Sequence, residues 1–316
     1  MYEPPLLDFY DNAILNNGDP RSYTVQLAGT STGAPPFPAS LANTPAGFVL
    51  PRQSINAVDP AFRTQSAWLT NVQFERAMRT DMSVAVGYVN STGRHLPVLM
   101  DINMIPTGAL LADGRPIFST AVNASTRWDP TFDHVNMFKS MGEAKYNAFT
   151  ATFTKRMTHG WQAQATYTLA RGEDDAPLTG TYVVGSGDDR VSDPTDLERE
   201  WGVTPFNQAH TFAVSTVIAP IVSAGGFLGA LANNNQLGLI LQANSGLPFN
   251  VRSRTDLNQD GVTNDRPDGI ERNDGRLGRV VYLDLRSRVS CRSARCSASS
   301  CSSRPRTCST RRTCRR

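Results

Sequence analysis

No cysteine occurs before position 291, and no unbroken apolar stretch of eighteen residues occurs anywhere. The first absence excludes a disulfide-stapled or cysteine-ligated metal fold for the body of the chain. The second excludes a helical membrane protein, because a spanning helix needs about 20 apolar residues. The nearest candidate, residues 213–222, is interrupted by Ser215, Thr216 and Pro220. The first twenty residues lack a basic stretch leading into an apolar run, so no secretory signal is expected there, and the chain either stays inside the cell or lacks its beginning. The four histidines, His95, His134, His159 and His210, show no metal-ligand spacing, and no nucleophile, base or metal set accompanies them. An enzyme is therefore not expected.

The formal net charge of +3 hides two unlike regions. Ten of the 31 basic residues follow Leu285 with no acidic residue among them, which leaves 21 basic against 28 acidic residues in 1–285. All five cysteines (Cys291, Cys296, Cys301, Cys308 and Cys314) lie in the same tail. Their spacing contains no C-x-x-C pair and no aromatic residue is interleaved for base stacking, so neither a zinc cluster nor a nucleic-acid arm is expected. The body is an acidic, cysteine-free chain, as suits an exported protein that makes no disulfides.

What the body does contain is period-two alternation, the pattern of a strand with two different faces. In residues 161–170, Trp161, Ala163, Ala165, Tyr167 and Leu169 share one face while Gln162, Gln164, Thr166 and Thr168 share the other. The preceding run sets Phe149, Ala151 and Phe153 against Thr150, Thr152 and Thr154. Thr158, His159 and Gly160 join the two runs, and the glycine supplies the positive φ of a tight hairpin. A second hairpin is read around Arg79, Thr80 and Asp81, with further strands at 209–217, 236–244 and 280–285 and weaker ones at 23–28 and 116–122. That makes eight or nine strands, several close to the 9–11 residues that cross a bilayer obliquely. Long Gly-, Pro- and Asp-rich stretches at 91–145, 172–206 and 252–278 are read as loops. Short turns on one side and long loops on the other are the layout of an outer-membrane barrel, although a soluble β-sandwich or propeller also alternates. A wet lumen tolerates uncharged polar faces that a dry core would have to satisfy, which favours the barrel.

One ligand-like motif stands out: Asp256, Asn258, Asp260, Asn264 and Asp265, with Gly261 at the turn. Oxygen ligands at alternate positions are how a loop wraps Ca²⁺, but the twelfth position is Pro267 where an EF-hand supplies a glutamate. The other reading is a polar turn held by side chain to backbone hydrogen bonds. Glu173, Asp174, Asp175, Asp188 and Asp189 have no companion histidine or nucleophile and are read as a solvated loop.

Read as text, several segments resemble the Oar-like family of TonB-dependent receptors. VQFERAMRTDMSVAVGYVNSTGRHLP and YNAFTATFTKRMTHGWQAQATYTLARGEDD are similar to its hairpins. AHTFAVSTVIAPI, LILQANSGLPFNV and DLNQDGVTNDRPDG with RNDGR follow in the family's order, from Asp59 to Leu285. The resemblance implies an all-β fold: an antiparallel meander of a partial transmembrane β-barrel with long extracellular loops, in the cell outer membrane. It divides the chain into an irregular N-terminal barrel segment (1–58), a barrel segment (59–285) and a disordered Arg/Cys/Ser-rich tail (286–316). Complete members also carry a signal peptide, a TonB-contacting segment and a plug, and large transporters of this kind use 22 strands. The expectation is thus a fragment. Read in another frame, 306–314 permits the family's Asn-Leu-Phe-Asn ending, so a frameshift after Leu285 is expected.

The functional expectation is passive architecture for transport, with strands lining a lumen and loops meeting a ligand. The implied partners are outer-membrane lipid and, in an intact relative, the TonB energy-coupling protein and a bulky nutrient. The alternative is a secreted, calcium-assisted β-sheet binding module working through 256–265.

Overall fold

Alternation of residue type becomes alternation of face in the computed structural model, which describes residues 52–177, 190–220 and 235–289 and a few positions between 226 and 233. The strands are β1 (Ile55–Val58), β2 (Ser66–Arg79), β3 (Met82–Asp101), β4 (Val135–Thr158), β5 (Trp161–Asp174), β6 (Gly202–Val203), β7 (His210–Ile218), β8 (Asn235–Asn244), β9 (Pro248–Phe249), β10 (Gly275–Arg276) and β11 (Val280–Val289). Nine of them form one sheet whose long members lie in the order β11-β8-β7-β5-β4-β3-β2, each antiparallel to its neighbour. Short β1 adds in parallel to β4, and β9 pairs with β10 separately.

The register carries each face unbroken across the sheet. One row runs Phe74, Val86, Ala151, Tyr167, Phe212, Ala243 and Val281. One residue along, on the opposite face, the row is Gln73, Gly87, Thr150, Thr168, Thr211, Asn244 and Val280. Tyr88, Phe149, Tyr167 and Leu169 remain 37–47% exposed, so the apolar face is bare. A large exposed apolar surface is costly in water and favourable in hydrocarbon, where the ladder already satisfies the backbone groups of the paired strands.

The short turn between β4 and β5 follows from its residues. Only His159 (φ 53°) and Gly160 (φ 80°) separate β4 from β5, the two positive φ values of a type I′ turn. A Cβ on Gly160 would meet the Ala219 carbonyl oxygen at 2.7 Å, so backbone proximity as well as conformation requires glycine there. Beside this turn, Lys155 Nζ lies 4.5 Å from the Trp161 ring centroid and 3.2 Å from Asp81 of the neighbouring turn. The ammonium thus leaves the apolar face for the polar boundary, and Trp161 marks that boundary.

At the other end the strands overrun the membrane. Twenty residues in β3 and 24 in β4 far exceed the 9–11 needed to cross. Residues 91–101 and 135–145, read from sequence as loop, are paired through Asp101↔Asn136, with register shifts at Leu96 and Pro97. The cause is burial: Val98 and Met100 pack with Ala176 and Val191, flanked by Leu96 and Leu197, in a small core above the bilayer span. The sequence strand at 116–122 is instead loop carrying a single isolated bridge, Leu110↔Pro116. Residues 23–28 and most of the 286–316 tail lie outside the described residues, and β11 continues to Val289. Residues expected to be irregular include β1, held by its pairing to β4.

Candidate functional site

Three long connections, 102–134, 175–209 and 245–279, leave the same end of the sheet. Over their described residues they are tied together by buried charge. Arg115, on the first, donates to Asp113 at 2.7 Å through Nε, to the Asp265 carboxylate through Nη1 and to the Arg266 carbonyl at 3.1 Å. Arg266, on the third, reaches Glu200 on the second at 3.0 Å and donates to Ser192 Oγ at 3.1 Å and the Arg199 carbonyl at 3.2 Å. Arg272 donates to the Asp174 carboxylate at the end of β5, to the Asp174 carbonyl at 2.8 Å and to the Glu200 carbonyl at 3.1 Å. Arg199 closes the triangle by donating to the Asp113 carbonyl at 2.9 Å.

Glu200 is the centre of this arrangement, with no exposed surface. Its Oε1 accepts from the Ser192 amide at 2.7 Å and from the Ser192 hydroxyl. Burial works to raise this carboxyl, but the Arg266 charge and the bonds from Arg266 and Ser192 outweigh it and hold it below the usual carboxylate range. Gly202 gives Arg272 its place, since a Cβ there would meet the Arg272 Cβ and carbonyl oxygen at 2.8 Å. A buried ion pair is favourable only when its remaining hydrogen-bonding positions are filled, as they are here.

The five residues expected around calcium are brought together; the three carboxylates and Asn258 Oδ1 accept hydrogen bonds from the chain itself, while the buried Asn264 Oδ1 has no hydrogen-bond partner among the described residues. Asp256 accepts from the Asp260 and Gly261 amides at 3.2 and 2.8 Å, and Asp260 accepts from the Val262 amide at 2.8 Å and from Asn258 Nδ2 at 3.2 Å. Asp265 is held by Arg115 and by the amides of Leu257 and Asn258. Asn258 and Asn264 turn outward to the second loop, donating to the Ser192 carbonyl at 3.0 Å and to the Arg190 and Val191 carbonyls at 3.2 and 3.3 Å. Among the described residues no group of three His, Cys, Asp or Glu is gathered to hold a metal. The arrangement is that of a polar turn and a clamp between loops. Burial, then the charges of Asp256 and Asp265, push the Asp260 carboxyl up to about 6 against the amide and Asn258 bonds that favour its ionised form.

Asp174, read as part of a solvated loop, is instead buried against Arg272. Neighbouring Glu173 pairs with Arg171 at 2.6 Å, Asp175 accepts from the Glu143 amide at 2.6 Å, and Asp188 and Asp189 lie outside the described residues. Sequence reasoning did not single out Arg115, Glu200, Arg266 or Arg272, although the last two stand inside the DRPDG and RNDGR words. Between the loops lies a cavity of about 520 Å³ with Arg115, Arg199, Trp201, Arg266, Ile270 and Glu271 in its wall. Charges of both signs and an aromatic surface there suit a polar ligand from outside more than a purely apolar one.

Among solved structures, the outer-membrane transporter YddB from Escherichia coli is similar at a TM-score of 0.45 and 8% identity, over 76% of this chain. The chain spans 28% of that transporter's length. No curated protein matches the sequence. The model of the outer membrane beta barrel domain matches residues 2–287, nearly the whole sequence. The chain belongs to the outer-membrane β-barrel domain family, and its place is the cell outer membrane.

Proposed function

We propose that the chain forms part of the wall and ligand-facing surface of a TonB-dependent, Oar-like receptor that admits a bulky nutrient. The observation that carries this reading is a sided membrane wall crowned by three ion-paired loops around a polar cavity. A pore wall alone needs no such cap, whereas a receptor needs preorganised loops that lose little entropy on binding. The lumen face offers hydroxyl and amide groups such as Thr150, Thr168 and Gln164, suited to a hydrated passage. The partners are outer-membrane lipid around the apolar face, an energy-coupling protein of the inner membrane acting through a plug, and the nutrient at the loops. No nucleic acid and no catalytic step belong to this reading.

The secreted calcium-assisted module draws no support from the outer-membrane placement or from a sheet whose apolar face no second layer covers among the described residues. The receptor reading is tested by deleting the coding region in its host and following growth on nutrients too large for general porins, with and without the energy-coupling protein. Loss of growth that the coupling protein's removal reproduces is the expected result. Growth unaffected by the deletion, or uptake that survives removal of the coupling protein, would refute it.

A further inference from the structure

The mixed charges in the wall of the cavity between the loops are not equally available. Its guanidiniums are already committed to carboxylates of the chain. Arg115 is bonded to Asp113 and Asp265, Arg199 lies 3.2 Å from Asp196 and 3.5 Å from Asp193, and Arg266 is paired with the buried Glu200. Two carboxylates of the same wall, Glu198 and Glu271, are uncommitted. Among the described residues neither side chain accepts a hydrogen bond or forms an ion pair. Glu271 acts on Arg171 only through space, and that guanidinium is bonded to Glu173 at 2.6 Å. The surplus charge facing the cavity is therefore negative.

This imbalance decides between classes of polar ligand. An anion entering the cavity would meet guanidiniums that are already neutralised and carboxylates that are not, so it would be repelled. A cation would meet the reverse. The rest of the wall suits the stem of a long cationic group, because Trp201, Pro267 and Ile270 place apolar surface beside the two carboxylates. A long amine or guanidine covers such surface with its methylenes while its head stays with the charge. The Trp201 ring already holds one such head from the chain itself, since Lys145 Nζ lies 4.9 Å from its centroid. The volume of about 520 Å³ falls within the roughly 300–1,000 Å³ of small-molecule sites.

We propose that the cavity takes an organic cation, an alkyl ammonium or guanidinium carried by a polyamine or a basic peptide, with Glu198 and Glu271 binding its head and Trp201 and Ile270 its stem. The inference rests on reading the loops as a ligand-facing surface and requires no energy coupling.

Calorimetric titration of the full chain in neutral detergent micelles tests it, with spermidine, tri-arginine, tri-glutamate and maltotriose as probes. Spermidine or tri-arginine is expected to bind, the tighter of the two naming the source of the cation, and the anionic and neutral probes are not. Glu198→Gln and Glu271→Gln keep the size of the side chain and remove its charge, and each should weaken the cation about threefold to fivefold. Trp201→Leu should weaken it by a similar factor, and added salt should weaken it in the wild type. Unchanged amide exchange over residues 190–203 shows that a variant keeps the loops in place, and the ranking of the four probes on the wild type needs no variant. Tighter binding of tri-glutamate or maltotriose than of either cation would overturn the cationic class and leave the ligand-facing surface standing. Binding of no probe, or cation binding that both glutamine variants leave unchanged, would overturn it as well, while the growth test of the receptor reading stands apart from either result.

Discussion

Removing the guanidinium of Arg266 should loosen the outer loops far more than removing a surface charge. Arg266 is the cationic partner of Glu200, at 3.0 Å, and Glu200 has no exposed surface. In Arg266→Met the carboxylate keeps the amide and hydroxyl of Ser192 but loses its countercharge, and Ser192 Oγ and the Arg199 carbonyl lose a donor. Stranding one member of a buried pair costs about 3–5 kcal/mol, roughly two to four powers of ten in the local opening equilibrium. The assay is amide hydrogen exchange in detergent micelles over residues 190–203 and 256–273, with β4 and β5 as internal reference. Exchange should accelerate in both loops together and stay unchanged in the strands. Glu200→Gln should recover part of the loss in the double variant, because the neutral amide needs no countercharge. An Arg266→Met protein whose loop exchange changes less than about fivefold would show that the buried pair does not hold the cap, since a pair with no net worth moves it by under 1 kcal/mol.

Gly160→Val should destabilise the β4–β5 hairpin by about 1–2 kcal/mol through its left-handed φ, and more through the contact with the Ala219 carbonyl, read as a lower urea midpoint for folding into micelles. Arginine at Ala165, on the lipid face, should cost about 2–4 kcal/mol in that assay, against little for arginine at the adjacent lumen-face Thr166. Asp260 binds its proton more tightly folded than unfolded, so its contribution favours the folded loop at acid pH and is lost as pH rises from about 4 through about 6. Asp260→Asn should accordingly slow exchange at 256–265 at pH 7.5 and remove that pH dependence, and a loop equally protected at pH 5 and 7.5 in the wild type would contradict the account.

The hairpins were legible because a membrane strand is solvated differently on its two faces, so Phe149, Ala151 and Phe153 had to alternate with threonine. Above the bilayer that constraint ends. Val98 and Met100 are buried by loop residues Ala176 and Val191, and no local period announces it. The cap was illegible for a related reason: Arg115 meets Asp265 across 150 residues and Arg272 meets Asp174 across 98, while each alone is an ordinary charged loop residue. The spacing of the five residues from Asp256 to Asp265 left calcium and a polar turn both open, because spacing alone does not tell oxygens aimed at a cation from oxygens aimed at backbone amides.

The central claim is that the sheet is a membrane wall with lipid on one face and water on the other. Single spin labels at positions 162 to 168 along β5, in the cysteine-substituted chain reconstituted in lipid, measure it through their collision rates with oxygen and with a water-soluble nickel complex. The account predicts strict alternation, with oxygen dominating at Ala163, Ala165 and Tyr167 and nickel at Gln162, Gln164, Thr166 and Thr168. Equal access to nickel on both faces would contradict it.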